Sequence, residues 1–168
     1  MNKIKTGLDR ALAWFCVILF GALVVDVTWQ VFTRQVLDSP SGWSEELAKY
    51  LFIWLGLFGS ALVFGERGHI FVDFAVAKLP RELQHWVGVL VQVAILLFAA
   101  LVLVYGGYKV SALAWDQNLT GLPVNVGWLY TALPVSGVLI IFYTLYHLVA
   151  ILRRAESGVL TDTEPDVL

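Results

Sequence analysis

Asp26, Gln30 and Arg34 recur at every fourth position of an otherwise apolar run. On a helix such residues fall close to one face, so the three read as a polar stripe. An aspartate inside a bilayer is expensive unless protein surrounds it. It marks either a proton or ion site, or a polar seam against another helix or subunit. The seam is the stronger reading, because one acid lacks the convergent groups that ion coordination needs. Glu45 and Glu46 follow, with Ser41 and Ser44 as candidate N-caps beside them. Acids at a helix start gain from the positive end of its dipole. A paired acid/base role would need a nucleophile or metal set, and none accompanies them. A salt bridge to Arg34, or to a partner's arginine, fits better. Of His69, His85 and His147, only His147 lies in an apolar run, whereas a bis-histidine haem needs facing ligands. A lone cysteine, Cys16, excludes an internal disulfide, a thiolate metal cage and a paired-cysteine oxidoreductase. No catalytic, metal or cofactor constellation is assigned.

The elements that must position these residues follow from composition. The chain has 168 residues, 59% hydrophobic and 14% charged, with a mean hydropathy of +0.77. Soluble domains carry about 25% charge, so a water-soluble fold is excluded. No basic patch with interleaved aromatics suggests nucleic acid. Four apolar runs cover residues 11–32, 43–64, 83–108 and 126–151. Each is long enough to cross a hydrocarbon core of about 30 Å as a helix. The first run is too long for a signal peptide's apolar region. Membrane strands need about half these lengths and strict alternation. Pro134 falls inside the fourth run and predicts a kink or an altered turn. The small residues Gly56 and Ser60 would permit close helix approach. Trp54 lies mid-span and is expected to pack, while the other tryptophans fall near span ends. The fold class is therefore an all-α integral membrane protein with four transmembrane helices.

Eight of the eleven basic residues lie at the N-terminus, in the loop between the second and third runs, and after the fourth. Positive charge marks the cytoplasmic side, so both termini are expected there. In the second loop, Ile70, Phe71, Phe74 and Leu79 interrupt His69, Asp73, Lys78 and Arg81. That pattern predicts a short amphipathic helix lying in the membrane interface. Residues 1–154 form the membrane domain, and residues 155–168 read as an acidic, solvated cytoplasmic tail.

The stretch Arg34-Gln35-Val36-Leu37-Asp38-Ser39-Pro40-Ser41-Gly42-Trp43-Ser44-Glu45-Glu46-Leu47-Ala48-Lys49-Tyr50-Leu51-Phe52 resembles the small, DctQ-like membrane subunit of tripartite ATP-independent periplasmic (TRAP) transporters. Gly59-Ser60-Ala61, then Gly68-His69-Ile70-Phe71-Val72-Asp73-Phe74 and Leu79-Pro80, continue the likeness. The third and fourth runs match in hydropathy and length. The resemblance implies a four-helix subunit of the bacterial inner membrane with cytoplasmic termini. It implies a large membrane subunit carrying the substrate and sodium sites, and a periplasmic protein that delivers substrate. It also implies sodium-coupled uptake of organic acids, dicarboxylates and sialic acids among them, with the small subunit as scaffold. On that basis Asp26, Gln30, Arg34, Trp43, Glu45 and Glu46 are candidate partner contacts, and His69 and Asp73 would fix the amphipathic segment. The loops at 38–42 and 111–125 would face the periplasm. The run from Ser39 to Lys49 looks nearest to sialic-acid members. The competing reading is an autonomous four-helix, proton-coupled exporter that uses Asp26.

Overall fold

The computed structural model describes residues 2–39, 41–65 and 81–156. The segment carrying His69 and Asp73 and the tail beyond Glu156 lie outside the described residues, so the expected interfacial helix does too. The described chain is helical throughout its spans. It comprises α1 (Asn2–Gln35), α2 (Gly42–Gly65), α3 (Arg81–Phe98), a π-helical segment (Ala99–Gly106), α4 (Gly107–Leu113), α5 (Val126–Tyr130) and α6 (Ala132–Glu156). α3, the π segment and α4 run on as the third span, while α5 and α6 make the fourth. Among the described residues, four helices are long and apolar enough to cross a membrane.

α1 extends beyond its apolar run at both ends. Its first turns are held by the ion pair of Lys5 and Asp9, 2.7 Å apart at i,i+4 spacing. It ends where Asp38 adopts a left-handed backbone with φ 50°, a conformation that aspartate tolerates better than most residues. There the Ser39 N–H returns to the Thr33 carbonyl at 3.2 Å.

The buried line of α1 is Leu12, Leu19, Asp26 and Thr33, one residue in every seven. In α2, Ser44, Phe58 and Gly65 are buried at multiples of the same interval. A seven-residue repeat is the signature of a narrow, left-handed helix-pair seam. α1 accordingly packs chiefly on α2, and α6 packs on both α2 and the third span. The core draws Leu12, Phe58, Ala61, Ala99, Leu103, Ala132, Ile140 and Tyr143 from all four spans. Three of the eight are alanines, which let helix backbones approach closely where apolar lipid offers no hydrophobic drive.

The fourth span breaks at Thr131, three residues ahead of Pro134. Proline lacks an N–H and crowds the carbonyl four residues back, here that of Tyr130. The helix therefore ends at Tyr130 and restarts, with the Val135 N–H returning to the Thr131 carbonyl at 3.2 Å. The third span also continues past its expected end to Leu113. Its junction with α5 is tight. The Gly127 N–H donates to the Ala114 carbonyl at 3.0 Å, and the Ser111 hydroxyl donates to the Gly127 carbonyl at 2.8 Å.

Candidate functional site

The α1–α2 seam becomes polar at the end where the two helices join. Asp26 is only 5% exposed. The Ser44 hydroxyl, itself fully buried, donates to Asp26 Oδ1 at 2.9 Å and lies 3.4 Å from the Asp26 backbone carbonyl. Asp26 Oδ2 is buried and has no hydrogen-bond partner among the described residues. Ser44 is thus not an N-cap. It sits in the first turn of α2 and turns its hydroxyl across the seam, where a carboxyl offers a better acceptor than a local backbone group. Ser41 stands at the cap position by its backbone, whose carbonyl accepts from the Ser44 and Glu45 N–H groups at 3.2 and 3.4 Å. Its hydroxyl is buried without a partner among the described residues.

Such a pair fixes register. Sliding α1 by one heptad along α2 would set Asp26 against Leu51, the residue seven beyond Ser44. A buried carboxyl without a donor costs several kcal/mol, so the slipped packing is strongly disfavoured. One polar seam position does the same in coiled coils.

The rest of the stripe fans out from the seam. Gln30 is half-buried, and Arg34 is exposed. The Arg34 guanidinium lies 3.7 Å from Glu45 Oε1, with both side chains at least half exposed. A pair so placed in water contributes about 0–1 kcal/mol, so its charges remain accessible to a second protein. Glu46 is engaged differently. Its Oε2 accepts the backbone N–H of Gly121 at 3.0 Å. This straps the loop between the third and fourth spans over the start of α2. A Cβ at position 121 would sit 2.9 Å from the Trp43 Cα, so only glycine allows this approach. The Trp43 ring is itself exposed.

The opposite end of the bundle carries a second polar cluster. Tyr143 is fully buried and donates its hydroxyl to Asp9 Oδ1 at 2.7 Å. Lys5 bonds the other oxygen of the same carboxylate. His147 Nε2 lies 3.2 Å from the Phe64 carbonyl. A carbonyl only accepts, so that nitrogen carries the proton in this contact. These bonds tie α6 to the ends of α1 and α2.

The structure therefore joins Asp26 with Ser44, Arg34 with Glu45, and Glu46 with Gly121 and the neighbourhood of Trp43. Asp9, Tyr143 and Leu129 were not singled out from the sequence, and Gly121 read only as a breaker between spans. Trp54 packs against Phe15 and Phe58, with ring centroids 6.4 and 5.7 Å away. Its indole N–H also donates to the Leu129 carbonyl at 3.0 Å, which ties α2 to α5. The indole was the available signal, because a buried tryptophan needs an acceptor for its N–H. Apart from the Lys5–Asp9 pair within α1, every side-chain contact of this set holds helix to helix or loop to helix.

Comparison with known proteins gives a consistent answer. Residues 23–154 match the family described as "Tripartite ATP-independent periplasmic transporters, DctQ component". The sialic acid TRAP transporter small permease protein SiaQ of Vibrio cholerae is 31% identical over 161 residues, covering 94% of this chain and 91% of that protein. The sialic acid TRAP transporter permease protein SiaT of Haemophilus influenzae is 29% identical over 142 residues. That match covers 84% of this chain but only 22% of the longer relative. The C4-dicarboxylate TRAP transporter small permease protein DctQ of Pseudomonas aeruginosa is 31% identical over 131 residues, 75% of this chain and 62% of that protein. With its four membrane-crossing helices and a match over most of its length, this chain is a multi-pass inner-membrane transporter component, not an enzyme, and it belongs to the DctQ family of TRAP transporter subunits.

Proposed function

We propose that this chain is the small membrane subunit of a sodium-coupled TRAP transporter. It braces a large transport subunit during uptake of an organic acid delivered by a periplasmic binding protein. The observation that carries the reading is the SiaT relative, in which a segment like this chain occupies 22% of one longer permease polypeptide. A segment found both fused and separate is a part of one machine. The sialic acid class of substrate is favoured by the SiaQ and SiaT relatives, and the dicarboxylate class is the alternative offered by DctQ. Both termini are cytoplasmic in this reading, as the lysine and arginine distribution argues. The join of α1 and α2 then lies on the periplasmic side.

The contact with the large subunit uses the accessible side of that join, with Arg34, Trp43 and Glu45 outward and Gln30 beside them. Asp26 and Glu46 act from behind, by setting the α1–α2 register and holding the loop. The two roles separate experimentally. Glu45→Lys adds a cation beside Arg34 at an exposed position, so the fold is expected to keep its thermal stability. Copurification of the large subunit should fall several-fold. Unchanged copurification with unchanged uptake overturns this placement of the interface.

A further inference from the structure

A groove of about 490 Å³ opens between α4 and the broken start of the fourth span. This is within the usual range for small-molecule sites, about 300–1,000 Å³. Tyr108, Trp115, Asp116, Thr131 and Pro134 line it. Two of these, Thr131 and Pro134, come from the break in the fourth span.

Its depth is set by the spans. Tyr108 belongs to the last turns of the third membrane-crossing segment, Trp86–Leu113, and Thr131 and Pro134 to the first turns of the fourth, Val126–Val149. Trp115 and Asp116 come just after the third span ends. The groove thus sits where hydrocarbon gives way to headgroups. Below it the outward surfaces of both spans are apolar, with Leu101 and Val138 exposed.

Its chemistry is selective. The hydroxyls of Ser111 and Thr131 are spent on the backbone carbonyls of Gly127 and Trp128. Asp116 is the one carboxylate in the lining, flanked by the exposed aromatic rings of Tyr108 and Trp115. A carboxylate beside aromatic faces is a recognition set for an organic cation. Lys109 comes seven residues before Asp116, near the same face of the helix but outside the groove's lining, with its Nζ 4.6 Å from the Tyr105 ring centroid. From the aqueous side inward the surface therefore presents a carboxylate and then a cation.

We propose that this groove binds the headgroup of a phospholipid bearing a primary ammonium, of the phosphatidylethanolamine class. The ammonium donates hydrogen bonds to Asp116 and rests against Tyr108 and Trp115. The phosphate lies deeper, on the side toward Lys109, and the acyl chains run down the apolar faces of the third and fourth spans. A lysine of a partner protein offers the same ammonium, but the groove's place at the lipid boundary and the cation beneath its carboxylate favour a zwitterionic lipid.

The test is lipid retention by the full chain in nanodiscs. The discs contain equal phosphatidylethanolamine, phosphatidylcholine and phosphatidylglycerol with identical acyl chains. Lipids that stay bound after detergent extraction are quantified by native mass spectrometry. Phosphatidylethanolamine should be retained about fivefold over phosphatidylcholine, whose trimethylated nitrogen cannot donate a hydrogen bond. Asp116→Asn should abolish that preference, and Asp116→Glu should restore most of it. Equal retention of all three lipids in the parent protein overturns the proposal. So does a preference for phosphatidylglycerol, which would make Lys109 the dominant contact. Loss of large-subunit copurification in Asp116→Asn, with lipid selectivity unchanged, overturns it in favour of a protein lysine. Asp116 is exposed, so the variant should unfold at the same temperature as the parent.

Discussion

Gly127→Val is expected to destabilise the bundle by about 3 kcal/mol or more. A Cβ at position 127 would lie 2.8 Å from the Ser111 carbonyl oxygen, the Trp115 Cα and the Trp115 ring. Two of these three atoms are backbone, so no rotamer change relieves the clash. The third and fourth spans would have to separate where the loop between them is anchored. The Ser111 and Ala114 hydrogen bonds to Gly127 would be lost together with the Trp115–Trp128 ring contact, 5.7 Å between centroids. Gly56→Val is the matched control, because a Cβ there meets nothing within 4 Å. Thermal unfolding of the purified chain in detergent measures both. A drop of many degrees for Gly127→Val beside a small change for Gly56→Val is the expected pattern. Equal effects would show that the interspan junction does not hold the fold.

Tyr143→Ala should cost about 3–5 kcal/mol, as truncation of a fully buried aromatic does. Tyr143 touches two neighbouring helices, α1 and α2. Its ring fills the space opposite Gly65, where an added Cβ would lie 2.8 Å away. Its hydroxyl reaches Asp9 in α1, and Lys5 lies 5.7 Å from its ring centroid. Tyr143→Phe keeps the ring and removes only the hydrogen bond to a charged group, for about 1.5–3 kcal/mol. The order parent, then phenylalanine, then alanine in unfolding temperature checks the packing and hydrogen-bond parts separately. A phenylalanine variant as unstable as the alanine variant would contradict this division.

Much of the architecture was legible from the chain. Runs of apolar residues of bilayer length, broken by Ser39-Pro40-Ser41-Gly42 and by Gly121 and Pro123, admit few structures other than spanning helices. The polar stripe shows where such reading stops. Steps of four advance about 40° around a helix axis with each step, so Asp26, Gln30 and Arg34 cannot all occupy one narrow seam. The buried line follows steps of seven instead, and the stripe climbs out of the seam onto the surface. Ser44 resembled a cap because serine often is one. Its true partner stands eighteen residues earlier on another helix, a pairing that local pattern cannot reveal. Gly121 and Glu46 are seventy-five residues apart, and the bond between them depends on how the fourth span returns beside the second. Pro134 announced a break but not its place, which the carbonyl four residues upstream decides. The groove at Asp116 brings residues of the third and fourth spans together and had no signal of its own in the chain.

The central claim is that this chain supports transport performed by a partner. Its direct test is substrate uptake into proteoliposomes, with purified binding protein and an inward sodium gradient. Labelled sialic acid is offered first and a C4-dicarboxylate second. Uptake is expected only when this chain and the large subunit are present together. The chain alone should move neither acid, and Asp26→Asn, which keeps an acceptor for Ser44, should leave uptake by the complex close to the parent level. Proton-driven transport by this chain alone, abolished by Asp26→Asn, would contradict the account.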